Sequence, residues 1–496
     1  MSLIIVPCFL LAIIILSANL LLRRKKLNEP PVVPHIIPLL GHTIEYMNNP
    51  EGLLRRCREK YGEIFTIYIF GALHTVVGEC YSPEIFKSPH MSFVNALEEK
   101  LPLAHITNVV QDPDYAELGA RLVSKCISGR MEVYQHRVFA ELQEASKKLI
   151  GECKQPKLIN EMLPLVHECM SRAIADIFVG EELARDEEVV NTFRTFTRDV
   201  TDSTLSNALL TFIHPKLYMN EILFRFKFGS NPATRHKSLL IRKIRHIAAK
   251  RLEQEALLGS SYSRPDDLLQ DLLEHPRNDK ADPKYEWMVS QMIFLIWAGI
   301  HSTTRSAMDC LFDYAGRSEY WDELVEEQRT VLNTSDWKER SVTVEELAKM
   351  EKLDSFLRES MRLEDLYIDL DHRVMSPTFK FSNGLELPEG RHVVINFHEL
   401  NASSSLNGAK PNTFNGFRYV NKSSPAHKVT RDFLHFGLGR HACPGRVMSV
   451  VVMKMFMSLI IRKYDVVTQS GTRPKNLFVK GLPAPCNEPL IFTNKV

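Results

Sequence analysis

Cys443 is the residue whose setting in this sequence could do chemistry. It follows the loop Phe436-Gly437-Leu-Gly439-Arg440-His441-Ala and precedes Pro444-Gly445-Arg446, after which an almost unbroken apolar run extends from Val447 to about Tyr464. Such a run reads as a buried helix. Proline is tolerated in the first turn of a helix, where its missing N–H has no intrahelical partner to lose. Cys443 therefore sits at or next to a helix N-terminus. Unpaired amides and the positive end of the helix dipole stabilise an anion there, which biases the side chain toward thiolate. Thiolate is the ligand that a soft or redox metal centre takes. A cysteine by itself is more often a small core side chain, and the glycines could merely shape a loop, so the weight rests on the combination.

A second set of polar groups interrupts a long apolar stretch. From Tyr285 to about Arg317 the sequence has no proline and is strongly apolar, which permits one helix of roughly 48 Å. Its middle reads Trp297-Ala298-Gly299-Ile300-His301-Ser302-Thr303-Thr304. Hydroxyls there can donate to carbonyls four residues back, and the glycine invites a kink or an inserted water. Alone, the segment is a core helix with small polar residues. A third set lies on a helix predicted from Thr343 to Leu363, with Thr343 as N-cap and Glu346 three residues on. Within it, Glu359-Ser-Met-Arg362 puts acid and base on one face. Arg418 follows in Phe414-Asn-Gly-Phe-Arg418-Tyr. Planar guanidiniums bind carboxylate bidentately, although most such pairs are exposed and contribute little. Arg373, in Asp371-His372-Arg373-Val374, precedes short strands and reads equally as a surface arginine at a strand end.

Phe436, Gly439, Cys443 and Gly445 fit F-x-x-G-x-R-x-C-x-G, with His441 where that pattern has arginine and Arg440 one place earlier. On these residues the segment resembles the haem-binding loop of the cytochrome P-450 (haem-thiolate) family, in its fungal microsomal form. Residues 298–303 are similar to that family's oxygen-activating motif, with His301 replacing the acid and Ser302 the first threonine. Glu359, Arg362 and Arg418 match its E-x-x-R and the arginine that follows. The W-x-x-x-R element is missing, and Arg121 is only a possible stand-in. The resemblance implies a mainly α fold with small β-sheets, a triangular helical haem domain binding haem b. It implies Cys443 as axial iron ligand, Phe436, Arg440, His441 and Arg373 as haem contacts, and a propionate partner at either Arg440 or His441. Ser302 and Thr303, with His301, would order a proton relay. Glu359, Arg362 and Arg418 would form a structural triad behind the loop.

Composition sets the rest. Net charge is +2, with 44% hydrophobic and 25% charged residues among 496, ordinary for a globular protein, and nothing points to nucleic acid. The nine cysteines are scattered without a C-x-x-C pair, which fits a reducing compartment and argues against structural zinc. Leu3 to Leu22 is nearly all apolar, enough helix for one bilayer core, and Arg23-Arg24-Lys25-Lys26 follows. By the positive-inside rule residues 1–26 are an anchor with the remainder cytosolic, at the endoplasmic reticulum if the resemblance holds. Residues 27–42, with Pro30, Pro31, Pro34 and Pro38, read as a stiff extended path, a plain linker by composition and, as the resemblance implies, a hinge orienting the haem domain expected over 43–496.

No flavin or dinucleotide segment is visible, so electrons would come from an NADPH-cytochrome reductase, with Arg446 and Lys454 near the docking face unless they are merely solvated. The substrate would be a lipophilic molecule, a steroid, terpenoid or other isoprenoid, used with O2. Two rivals are a haem-thiolate isomerase or dehydratase working without reductase, which the missing acid at 301 keeps open, and a non-catalytic haem sensor. A zinc site at His435, His441 and Cys443 lacks a fourth ligand.

Overall fold

The computed structural model describes residues 27–205, 210, 215–364, 367–479 and 482–495. The apolar segment expected to anchor the chain lies outside these residues. Among the described residues no helix is long and apolar enough to cross a membrane.

The molecule is mainly helical and is built around the proline-free stretch, which forms one central helix, Tyr285–Ala315. It is buried on nearly every side from Met288 to Ile296 and again from Thr303 to Ala315, as an all-round apolar helix must be. Helices Met162–Ala184, Glu187–Leu205, Ala233–Leu258, Glu351–Arg362 and Arg446–Lys463 pack against it. The last of these is the apolar run after Cys443, and every residue from Met448 to Arg462 is buried.

A five-stranded sheet flanks the helices. Its order is Ile64–Ile69, Ala72–Val77, His392–Asn396, Ile368–Val374, Met91–Ser92. The first two strands form an antiparallel hairpin whose two-residue turn, Phe70-Gly71, has φ 49° and 78°, the left-handed pair that matches strand twist. The proline-rich stretch runs along this sheet. Val33 N–H donates to the Thr66 carbonyl at 2.8 Å and Thr66 N–H to that of Pro31 at 2.9 Å. Glu29 pairs with Arg391 at 2.5 Å, and Asn28 Nδ2 donates to the Gly384 carbonyl at 3.1 Å.

The helix read from Thr343 to Leu363 is two helices, Val344–Lys349 and Glu351–Arg362. Its start is as the sequence signals: Thr343 and Glu346 close a reciprocal capping box. The break falls at Met350, with ψ 76°, where no proline or glycine announces it. Lys454 supplies the physical reason. Its ammonium is buried among apolar neighbours, donating to the carbonyls of Leu347 at 2.5 Å and Met350 at 3.4 Å and pairing with Asp354 at 2.9 Å. The two carbonyls, which also accept the Met350 and Asp354 amides, satisfy a cation that would otherwise be costly to bury. Lys454 is thus no solvated or partner-docking residue, as its position in the sequence had allowed.

Candidate active site

Cys443 lies two residues before Gly445, the N-cap of helix Arg446–Lys463. Its N–H donates to the Phe436 carbonyl at 2.7 Å, which closes the loop on itself. Gly437 and Gly439 make that closure possible with φ 73° and 61°. Ser128 Oγ donates to the Pro444 carbonyl at 2.9 Å, and Arg446 Nη1 to the Cys443 carbonyl at 2.8 Å. Ser128 follows a π-helical turn, Val123–Ile127, so the loop is gripped from a second element that the sequence did not advertise. Gly439→Ala should cost about 1 kcal/mol, the strain of a left-handed non-glycine residue, because its Cβ would meet only the Phe86 carbonyl at an ordinary 3.5 Å. Thermal unfolding of the haem-loaded variant measures it.

The Cys443 side chain is exposed, yet loss of hydration among its neighbours pushes its thiol up, against the pull of the Gly445 and Arg446 amides and the Arg446 guanidinium. Both facts hold for a sulfur facing a space enclosed by the protein. The central helix does the same. Ala298, His301 and Ser302 are exposed between buried turns, at the spacing of one helix face, and burial followed by Arg305 lowers the His301 pKa, keeping the imidazole neutral. The two elements meet beside this space: Thr303 Oγ1 and Ser449 Oγ are 3.0 Å apart, and a Cβ on Gly299 would touch Met448 at 3.8 Å.

The structure separates the expected relay residues. Ser302 Oγ donates to the Ala298 carbonyl at 3.1 Å on the open face. Thr303 is buried and tied to Ser449, so it joins two helices rather than lining the space. The rotation of 100° per residue makes adjacent positions face differently, and the sequence alone does not reveal which one looks inward.

Glu359, Arg362 and Arg418 come together. Arg362 and Glu359 are fully buried and bidentate, Nε to Oε2 at 2.8 Å and Nη2 to Oε1 at 2.9 Å. Arg418 Nε donates to the same carboxylate at 2.9 and 3.1 Å. The remaining guanidinium hydrogens go to backbone carbonyls: Asn401 and Pro411 for Arg362, Asn407 and Thr413 for Arg418.

The basic haem contacts are placed less uniformly. Arg373 pairs with Glu99. Arg440 is exposed, and the His441 side chain lies outside the described residues. Arg121 is held by Asp114 at 3.3 Å and Glu117 at 3.8 Å, so its cation is already engaged on its own helix. His435, a candidate zinc ligand in the sequence, turns to Ser306 and Glu364 instead, which removes one of the three donors. The His74–Asp371–His392 cluster has the right donors for a metal, but Lys100 already stands 2.6 Å from Asp371 and supplies the cation. The eight described cysteines are free.

An exposed soft sulfur donor at a helix start, small residues exposed on the central helix that this helix touches, and an apolar surround fit a thiolate-ligated haem. The chain belongs to the cytochrome P450 family, whose model matches residues 30–489. It is accordingly an oxidoreductase of the monooxygenase class, with a haem cofactor whose iron takes a thiolate; such enzymes use O2, a redox partner and a small-molecule substrate. Similar curated proteins are cytochrome P450 monooxygenase janP of Penicillium janthinellum, 26% identical over 85% of this chain and 81% of that one, and AtmP of Aspergillus flavus, 26% identical over 82% and 77%. Monooxygenase 151 of Postia placenta is 24% identical over 92% of each chain. Among solved structures, retinoic acid-bound cyanobacterial CYP120A1 shares the fold, with TM-score 0.70 at 18% identity, covering 95% of this chain and all of that one.

Proposed function

We propose that this chain is a membrane-anchored haem-thiolate monooxygenase of the endoplasmic reticulum. Its cytosolic body hydroxylates a lipophilic molecule, a steroid, terpenoid or other isoprenoid, with electrons from an NADPH-dependent reductase. The observation that supports the haem-thiolate part of this reading is that the helix begun by the Cys443 loop touches the central helix at Gly299 and Thr303, beside its exposed turn of Ala298, His301 and Ser302. Cys443 Sγ would hold the iron of haem b. Phe436, Arg440 and His441 of the loop would meet the rest of the group, and Arg373 would do so only on leaving Glu99. Thiolate-ligated haem supplies activation of O2 for insertion into a C–H bond.

The chain's own residues do the remainder. Ala298 and Gly299 carry no bulky side chain and would leave the open turn of the central helix uncrowded. Ser302 Oγ, parked on a helical carbonyl, can turn to hold a proton at the reacting side. His301 is neutral and can accept one proton while giving up another. Support for a lipid-facing body comes from exposed Ile36, Ile37 and Leu39 near the apolar N-terminal run and from exposed Leu217, Phe224 and Phe228, since clustered apolar surface marks membrane or partner contact.

A carbon-monoxide difference spectrum of the reduced protein, followed by titration with steroids and terpenoids and NADPH-dependent turnover with a reductase, tests the proposal. Product without NADPH or reductase would favour the isomerase or dehydratase chemistry instead. The relay makes a finer prediction. Ser302→Ala should divert electrons from product to hydrogen peroxide. Thr303→Ala should leave that partition alone and lose only about 1 kcal/mol of stability with its buried hydrogen bond. The reverse pattern would exchange their roles.

A further inference from the structure

Arg358 precedes Glu359 on the helix Glu351–Arg362 and serves a different stretch of chain. Adjacent helical positions face about 100° apart. Glu359 holds the segment that ends at Arg418, while Arg358 turns to residues 425–433. The Arg358 side chain is wholly buried. Its Nη1 donates to the carbonyls of Pro425 at 3.1 Å and Lys428 at 2.9 Å, and its Nη2 to Thr430 Oγ1 at 2.9 Å. Asp432 Oδ2 stands 3.7 Å from Nη2 as counter-ion. Two aromatic rings complete the enclosure. The guanidinium carbon lies 4.7 Å from the Tyr419 ring centre and 4.0 Å from that of Phe433, distances at which the negative face of a ring holds a cation.

What Arg358 grips leads into the Cys443 loop. Thr430 and Phe433 exchange backbone hydrogen bonds at 3.4 and 3.1 Å. A guanidinium bonded to the first and seated on the second pins both ends of that turn. The Phe433 ring is stacked 5.9 Å from His435 and stands edge-on 6.2 Å from Phe436. His435 and Phe436 meet edge-on at 4.8 Å. The Phe436 carbonyl accepts the Cys443 N–H at 2.7 Å. A series of contacts therefore runs without a gap from a buried cation to the backbone of the cysteine. Tyr419 belongs to the preceding segment, where its N–H donates to Ser355 Oγ at 2.9 Å. The two rings thus share one guanidinium and lead to different places.

We propose, on the reading that Cys443 holds the haem iron, that Arg358 is a positioning residue for the sulfur: through the Phe433 ring it fixes the Phe436 carbonyl, and with it the place from which Cys443 presents its ligand atom. Groups that orient a metal ligand without touching the metal cost roughly 10–100-fold in affinity when removed. Arginine suits the task because a planar guanidinium lies on a ring and donates in its own plane at the same time, which a point-like ammonium does not. One turn of helix then has two duties. Glu359 closes the chain up to Arg418, and Arg358 steadies the loop that follows.

The haem-loaded full chain is compared with its Phe433→Leu, Tyr419→Leu, Arg358→Met and Arg358→Lys variants. Three quantities are read: the rate of haem transfer to excess apomyoglobin, the carbon-monoxide difference spectrum of the reduced protein, and the denaturant midpoint. Phe433→Leu should release haem roughly tenfold faster and turn part of the carbon-monoxide complex into a form without the thiolate band. Tyr419→Leu strips the other ring from the same guanidinium, so it should lower the midpoint and leave transfer rate and band unchanged. Arg358→Met should reproduce Phe433→Leu, and joining the two should add little to either, as for partners in one contact. Arg358→Lys keeps a cation at the ring and should retain the band at a lower midpoint. Equal haem loss from Phe433→Leu and Tyr419→Leu would make Arg358 a stabiliser of the fold alone and overturn the proposal. Should Arg358→Met not fold, the two ring variants decide, since both leave the Arg358 hydrogen-bonding groups in place. A thiolate band missing from the unaltered chain would refute Cys443 as ligand, whereas a normal band that survives Phe433→Leu together with normal transfer refutes only the role of Arg358.

Discussion

Cys443→Ser should give a folded protein without the carbon-monoxide band of a thiolate haem and without detectable oxygen insertion. The hydroxyl matches the thiol in size but does not ionise near neutral pH, so the soft anionic ligand is gone. The fold should survive because the cysteine's structural bonds are made by its backbone: its N–H to Phe436 and its carbonyl from Arg446. Loss of a supporting partner alone weakens metal affinity about 10–100-fold, and removing the ligand itself should exceed that. Haem content by absorbance, with circular dichroism as the folding control, checks it. An unchanged band would mean that another residue ligates the iron.

Glu359→Gln should be the opposite case, failing as a fold before failing as an enzyme. The substitution leaves Arg362 fully buried and Arg418 nearly so with no counter-charge, because both spend hydrogen bonds on that one carboxylate. Breaking a buried ion pair from one side costs about 3–5 kcal/mol, a large part of the roughly 5–15 kcal/mol that holds a domain together. Little soluble, haem-bearing protein is expected, and any recovered should unfold at markedly lower denaturant. Arg362→Lys should fail as well, since an ammonium cannot make the bidentate contact and also reach the Asn401 and Pro411 carbonyls. A Glu359→Gln protein within about 1 kcal/mol of the original would show the triad to be dispensable.

The sequence made legible whatever depends on neighbours in the chain. Cys443 with its glycines, the long central helix, the Thr343–Glu346 cap and the three-residue spacing of Glu359 and Arg362 are all local patterns. What stayed hidden depends on distant partners. The helix breaks at Met350 where Lys454, far along the chain, reaches its carbonyl and that of Leu347. Thr303 turns to Ser449 and Ser302 does not, a choice set by how two helices meet. Ser306 meets Glu364 and His435 only because distant elements bring them to the central helix. The anchor lies outside the described residues, and the substrate is set by a cavity shape that residue types do not encode.

The seam between residues 28–33 and the sheet has a mechanical consequence. Hydrogen bonds and an ion pair fasten this strip to the Thr66 strand, Gly384 and Arg391 from its first described residues onward. A force applied at residue 27 is therefore delivered directly into the sheet, as torque on the whole body, and no slack absorbs it. Over its described residues the strip behaves as a strut and not a leash.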